Sequence, residues 1–73
     1  MKIHDPNSTM VRVGDLKAGM RVEPGFFHEE EVVVEQDAEL VFGTGFYCVL
    51  FRTSDGTIRH AHPYEGDAVW VLP

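Results

Sequence analysis

Apolar and acidic residues alternate with a period of two along the middle of the chain. The even positions are apolar at Val32, Val34, Ala38, Leu40 and Phe42. The odd positions carry Glu29 and then four residues that we call the acidic stripe: Glu31, Glu35, Asp37 and Glu39. Successive side chains of a β-strand point to opposite faces of a sheet. The pattern therefore predicts one long strand with a core face on the even positions and the acidic stripe on the other face.

Two further apolar runs flank a tight turn in the last third of the chain. Residues 47–53 are apolar on both parities, which indicates a central strand that is buried on both faces or covered on one face by a loop. Asp55-Gly56 is a strong hairpin signal and leads into a strand over 57–62. The pattern leaves open whether the hairpin loop has two or three residues, and this choice decides the register of the two strands.

A break that begins with proline separates this hairpin from the final apolar run. Residues 63–67 predict one 3₁₀ turn, and residues 68–72 predict a short closing strand. Only one parity of that strand can face the core. We expect Trp70, rather than Val69 and Val71, to point inward.

The first third of the chain is less regular. Residues 1–9 are polar and show no periodicity, which predicts a flexible N-terminal arm. Short strands over 10–13 and 20–23 flank a turn whose Leu16 is expected to close one end of the fold. Pro24-Gly25 then opens a loop that carries Phe26, Phe27 and His28.

These elements predict a single all-β domain over residues 10–73, built as a small, five-stranded, partly open barrel. The strand layout resembles that of the Src-homology-3-like (SH3-like) barrels. The segments VRVGDLKAGMRV (11–22) and VLFRTSDGT (49–57) are also similar to small uncharacterised barrel proteins of actinobacteria and their phages. Signalling members of the SH3-like family bind proline-rich peptides on an aromatic groove. Their acidic run followed by tryptophan is missing here, because residues 29–31 lead into valines.

Composition narrows the function. The chain has 73 residues, a hydrophobic fraction of 44% and a formal net charge of −6. This apolar content suffices for one globular core. The acidic excess argues against a function that needs a basic surface for phosphate, so binding to nucleic acid or to a membrane is not expected. Cys48 is the only cysteine and cannot form an internal disulfide; with no apolar targeting segment evident, we expect a cytoplasmic protein.

Residues that could carry chemistry are few. His60 and His62 lie two apart on a predicted strand and could share a metal ion, but zinc needs further ligands that the sequence does not identify. No nucleophile motif, phosphate-binding glycine loop or metal-binding helix is present. We therefore expect no metal, no cofactor and no enzymatic activity.

The remaining hypothesis is a protein-binding module, with a phage-encoded modulator or inhibitor of a host protein as its concrete form. The acidic stripe would steer a partner that is basic or has a basic patch, and neighbouring aromatic side chains would anchor it. Two alternatives stay open: a nucleic-acid-associated barrel that uses the scattered arginines, and a subunit of a homo-oligomer that buries Trp70 or the aromatic loop. The predicted contact residues are Phe26, Phe27, His28, Glu31, Glu35, Asp37 and Glu39.

Overall fold

The computed structural model describes residues 5–73, and these form an all-β fold, as predicted. Met1 to His4 lie outside the described residues. A 3₁₀ turn, Val13–Asp15, follows the first strand. The strands are β1 (Thr9–Arg12), β2 (Arg21–Val22), β3 (Val32–Val34), β4 (Glu39–Val41), β5 (Phe46–Arg52), β6 (Ile58–Ala61) and β7 (Ala68–Val71).

The strands form one antiparallel sheet that is not closed. Its order is β1-β7-β2-β3-β5-β6, and β4 pairs with the first half of β5. Within the described range, β1 and β6 lie at opposite ends and do not pair with each other. Residues 5–73 form seven strands rather than the predicted five, partly because the long strand expected over 29–42 is divided into β3 and β4.

The core is a layer of valines completed by one leucine and one phenylalanine. Val22 lies opposite both Val32 of β3 and Val71 of β7, and residues that lie opposite each other in a ladder share a face. Leu16 is fully buried, as expected. The buried set is Val13, Leu16, Val22, Val32, Val34, Val49, Phe51, Val69 and Val71.

The inward parity of β7 is the reverse of the predicted one. Val69 and Val71 are buried, whereas Trp70 is only partly buried and lies opposite Met10 of β1. The reason is the register with β2: Val71 pairs with the core residue Val22, so Trp70 must take the outer face.

The hairpin between β5 and β6 has a three-residue loop. Arg52 pairs with Ile58, the Thr53 amide donates to the Thr57 carbonyl at 2.9 Å, and Gly56 has a φ of +87°. A left-handed residue at the end of such a loop is the usual role of glycine. The Thr53 hydroxyl and the Thr57 amide both donate to the Asp55 carboxylate. These hydrogen bonds, that of Thr53 first, lower the pKa of Asp55 to about 2.

One hydrogen-bonded turn lies before the last strand, within the range 63–67 where the sequence predicted one 3₁₀ turn. Tyr64 forms an isolated antiparallel bridge with Phe46, which keeps it extended. In the turn that follows, the Asp67 amide donates to the Tyr64 carbonyl at 2.9 Å and the Asp67 carboxylate accepts the Tyr64 amide at 3.0 Å.

The described end of the predicted N-terminal arm contacts the domain through one side chain. The Asp5 amide donates to the Glu23 carboxylate at 3.2 Å, and the Ser8 hydroxyl donates to the same carboxylate. Thr9 is the first residue of β1. In the described part of the chain, no helical segment is long and apolar enough to cross a membrane.

Candidate docking surface

β4 and the start of β5 form a short hairpin that extends beyond the main core. Five residue steps separate Val34 from Glu39, but only three separate their partners, Phe51 and Cys48, on β5. The two extra residues interrupt the ladder at 35–38, as a bulge does. At this break the Ala38 amide donates to the Leu16 carbonyl at 3.0 Å.

Beyond this interruption the even positions are not buried. Leu40 is 53% exposed and Phe42 is 96% exposed, so the predicted core face holds for Val32 and Val34 and is wrong for Leu40 and Phe42. The physical reason is that no element of residues 5–73 lies over β4: all three of its residues are exposed. Apolar residues that alternate along a strand are buried only where another element covers them.

Three apolar side chains line up across the outer face of this hairpin. Val41 pairs with Phe46, and Phe46 bridges to Tyr64, so the three share one face. The rings of Phe46 and Tyr64 pack edge to face, with centroids 5.6 Å apart. We call the exposed set the apolar arm; its members are Leu40, Val41, Phe42, Phe46 and Tyr64.

The acidic stripe is largely neutralised by basic residues of the same chain. Arg52 binds Glu35 with its Nε and Nη2 atoms, at 3.0 Å and 2.7 Å from Oε1. A carboxylate that already has a basic neighbour attracts a partner protein less than a free carboxylate does. The pair itself contributes little to stability, because it is exposed to solvent. The other two pairs are Arg21 with Glu31 at 3.6 Å and Lys17 with Asp37 at 3.9 Å.

Glu39 is the stripe member without a basic partner among the described residues. Its carboxylate accepts a long hydrogen bond of 3.4 Å from the Gln36 side chain. Glu39 is also the only charged residue of β4, and it lies one position before Leu40. Negative charge of the stripe is therefore retained beside the apolar arm.

The predicted aromatic loop lies elsewhere. Phe27 stacks on the core residue Phe51, with centroids 5.4 Å apart, so it serves largely to cover the core. Phe26 is 48% exposed and lines a groove of about 250 Å³ with Met10 and Trp70. No carboxylate of the acidic stripe lines that groove. The Nδ1 atom of His28 accepts the Glu30 amide at 3.3 Å, which orders the loop.

His60 of β6 lies close to His62, which follows the end of that strand. The rings of His60 and His62 are 5.3 Å apart between centroids, and both residues are exposed. Over residues 5–73, no group of three or more His, Cys, Asp or Glu side chains is arranged to hold a metal ion. Cys48 is a free, partly buried thiol opposite Glu39.

The sequence contained a signal for the apolar arm that alternation alone obscured. Leu40, Val41 and Phe42 are three consecutive apolar residues at the end of a strand, and Gly43-Thr44-Gly45 then reverses the chain. In a single sheet with one core face, a strand that is apolar on both parities must expose one of its two faces.

No protein-family model matches this chain, and neither a curated protein nor a solved structure matches it.

Proposed function

We propose that this chain is a non-enzymatic protein-binding module whose principal contact surface is the apolar arm. The observation that carries the proposal is the 96% exposure of Phe42 at the turn of the β4–β5 hairpin, with Leu40 beside it. Leu40 and Val41 lie on opposite faces of β4, so the hairpin exposes apolar side chains on both faces, and large exposed apolar areas on a small monomer usually mark an interaction site. Aromatic side chains are the commonest anchors of such sites.

Charge supports a basic partner. The Glu39 carboxylate has no basic partner in the described chain, and Glu65 lies next to the arm through a 2.8 Å bond from its amide to the Gly45 carbonyl. With a net charge of −6 on the whole chain, these groups would speed encounter with a basic surface. The paired carboxylates Glu31, Glu35 and Asp37 contribute less than the sequence suggested, and we assign them to the stability of the domain.

The proposed fold assignment remains an SH3-like barrel. Supporting this, β3 and β4 both pair with β5 and can be counted as one interrupted strand. Counting them in this way reduces the seven strands of the described residues to six, of which the two-residue β2 is the shortest. As the concrete form of the binding function, we propose a phage-encoded modulator or inhibitor of a host protein in the bacterial cytoplasm.

Of the two alternatives, the homo-oligomer has the better support. Met10 and Phe26 are each about half exposed, at 49% and 48%, beside Trp70, and a second copy could cover that groove. The nucleic-acid hypothesis has less support: Arg21, Arg52 and Lys17 each lie within 4 Å of a carboxylate, and only Arg12 and Arg59 of the arginines in the described residues form no ion pair.

Affinity capture followed by titration tests the proposal. The chain is used to capture proteins from a bacterial lysate, and each recovered protein is then titrated with the wild type, with Phe42→Ser and with the matched control Phe26→Ser. We expect Phe42→Ser to weaken binding about tenfold or more, and Phe26→Ser to change it by less than about twofold. The reverse ranking would place the contact surface at the Phe26 groove and refute the assignment to the arm.

A further inference from the structure

The apolar arm also presents an open strand edge. Among the described strands, β1, β4 and β6 each pair on one side only. Unpaired edges are templates for added strands, and natural proteins usually protect them with basic residues, proline or bulges. β6 carries Arg59 and β1 ends at Arg12, whereas the three-residue β4 has neither a basic residue nor a proline; the interruption at 35–38 lies before it, and its one charged side chain is Glu39, which favours a basic strand at this edge.

We propose that the open edge of β4 binds an extended segment of a basic partner protein by strand addition. This inference rests on the proposed function and deepens it, because it assigns the binding mode and the chemistry of the partner segment. Main-chain hydrogen bonds would supply affinity, and side chains beside β4 would supply specificity.

The side chains of β4 define the complementary segment. Leu40 lies on the same face as Tyr47, and Val41 lies on the opposite face beside Phe46. Directly opposite pairs interact most strongly, so the added strand should place apolar residues opposite Leu40 and Val41. Opposite Glu39 it should place lysine or arginine. The segment is therefore a short run of apolar residues next to a basic one.

A second copy of this chain fits the edge less well. Antiparallel pairing of two β4 strands about Leu40 would set each Glu39 opposite a Val41, with no basic residue to meet either carboxylate. Each copy would also bring a net charge of −6. Charge complementarity thus favours a basic partner over self-association.

Selection from a displayed library of random peptides of about eight residues, the length of an ordinary strand, tests the inference. The best peptide is titrated with the wild type, with Leu40→Lys and with Ile58→Lys. Ile58 is the matched control because it is 50% exposed on the β6 edge, against 53% for Leu40. We expect selected peptides to contain adjacent apolar and basic residues. We also expect about tenfold weaker binding for Leu40→Lys and less than about twofold for Ile58→Lys.

Amide hydrogen exchange tests strand addition independently of whether the chain binds a partner protein. On addition of the peptide, we expect slower exchange of the Leu40 amide, which points away from β5 because the opposite Tyr47 amide donates to Pro63, and no change in Ile58–Ala61. If binding depends on Phe42 but the Leu40 amide stays unprotected, strand addition is refuted while the protein-binding proposal stands. If the selection yields no peptide whose binding depends on Leu40, or if the peptides lack basic residues, the inference is also refuted. Self-association that increases with salt and is lost in Leu40→Lys would identify a second copy as the occupant instead.

Discussion

Reversing the charge of Glu35 should destabilise the domain rather than only slow partner binding. In the wild type, Arg52 contacts both Glu35 carboxylate oxygens, at 2.7 and 3.3 Å for Nη2, and its Nη1 donates to the Gly56 carbonyl at 3.2 Å. Glu35→Lys removes this pair and sets two cations side by side. The side chains are 30% and 47% exposed, so solvent weakens the interaction.

The magnitude follows from that geometry. A half-exposed pair contributes about 0.2–1 kcal/mol, with two-point contacts at the upper end. Repulsion between like charges costs a similar amount, so Glu35→Lys should lower the free energy of unfolding by about 1–2 kcal/mol. The urea dependence for a small domain is about 1 kcal/mol per molar, so the urea midpoint should fall by about 1–2 M. At about 1 M salt, where the screening length is about 3 Å, the difference should shrink.

Two variants control this experiment. Glu29→Lys makes the same charge change at an exposed residue that forms no ion pair within residues 5–73, and its midpoint should stay close to the wild type. The exchanged pair Glu35→Lys with Arg52→Glu should recover part of the loss, but not all of it, because the bond to Gly56 is lost. Equal midpoints for Glu35→Lys and Glu29→Lys, with slower partner association only for Glu35→Lys, would refute the structural role and restore the acidic stripe as the docking surface.

Three further outcomes follow from the fold. Leu16→Ala leaves a cavity at a fully buried site and should lower the free energy of unfolding, measured in urea, by about 2–5 kcal/mol. A decrease below about 1 kcal/mol would mean that the core collapses around the smaller side chain. In Gly14→Ala the new Cβ would lie 2.6 Å from the Tyr47 hydroxyl oxygen, so the melting temperature should fall, and an unchanged Tyr47 environment by NMR would contradict this. The pKa of Asp55 is lowered to about 2 from 3.8, so its contribution to stability is complete above about pH 4 and is lost as the pH falls through about 2. Asp55→Asn should therefore flatten the acid limb of the stability profile, and an unaltered limb would show that other carboxylates produce it.

Local patterns determined much of this protein from sequence alone. The alternation at Val32 and Val34 placed their side chains in the core, because a strand has a period of two whatever packs against it. Asp55-Gly56 identified the hairpin, because only a few residues fit a left-handed turn position. The all-β class followed from these signals. The length of the hairpin loop did not, since it depends on which strand residues pair across the turn.

The tertiary structure decided which side chains are covered or paired by other segments, and here the predictions from sequence were wrong. Leu40 and Phe42 continue the alternation of Val32 and Val34, yet no layer covers them, because the interruption at 35–38 carries β4 past the core. The charge of the acidic stripe likewise depended on cations ten or more positions away in the chain, such as Arg52 beside Glu35. Burial and ion pairing depend on contacts between segments that are distant in the chain. The sequence pattern shows which contacts a residue could make, but not which residues the fold places opposite it.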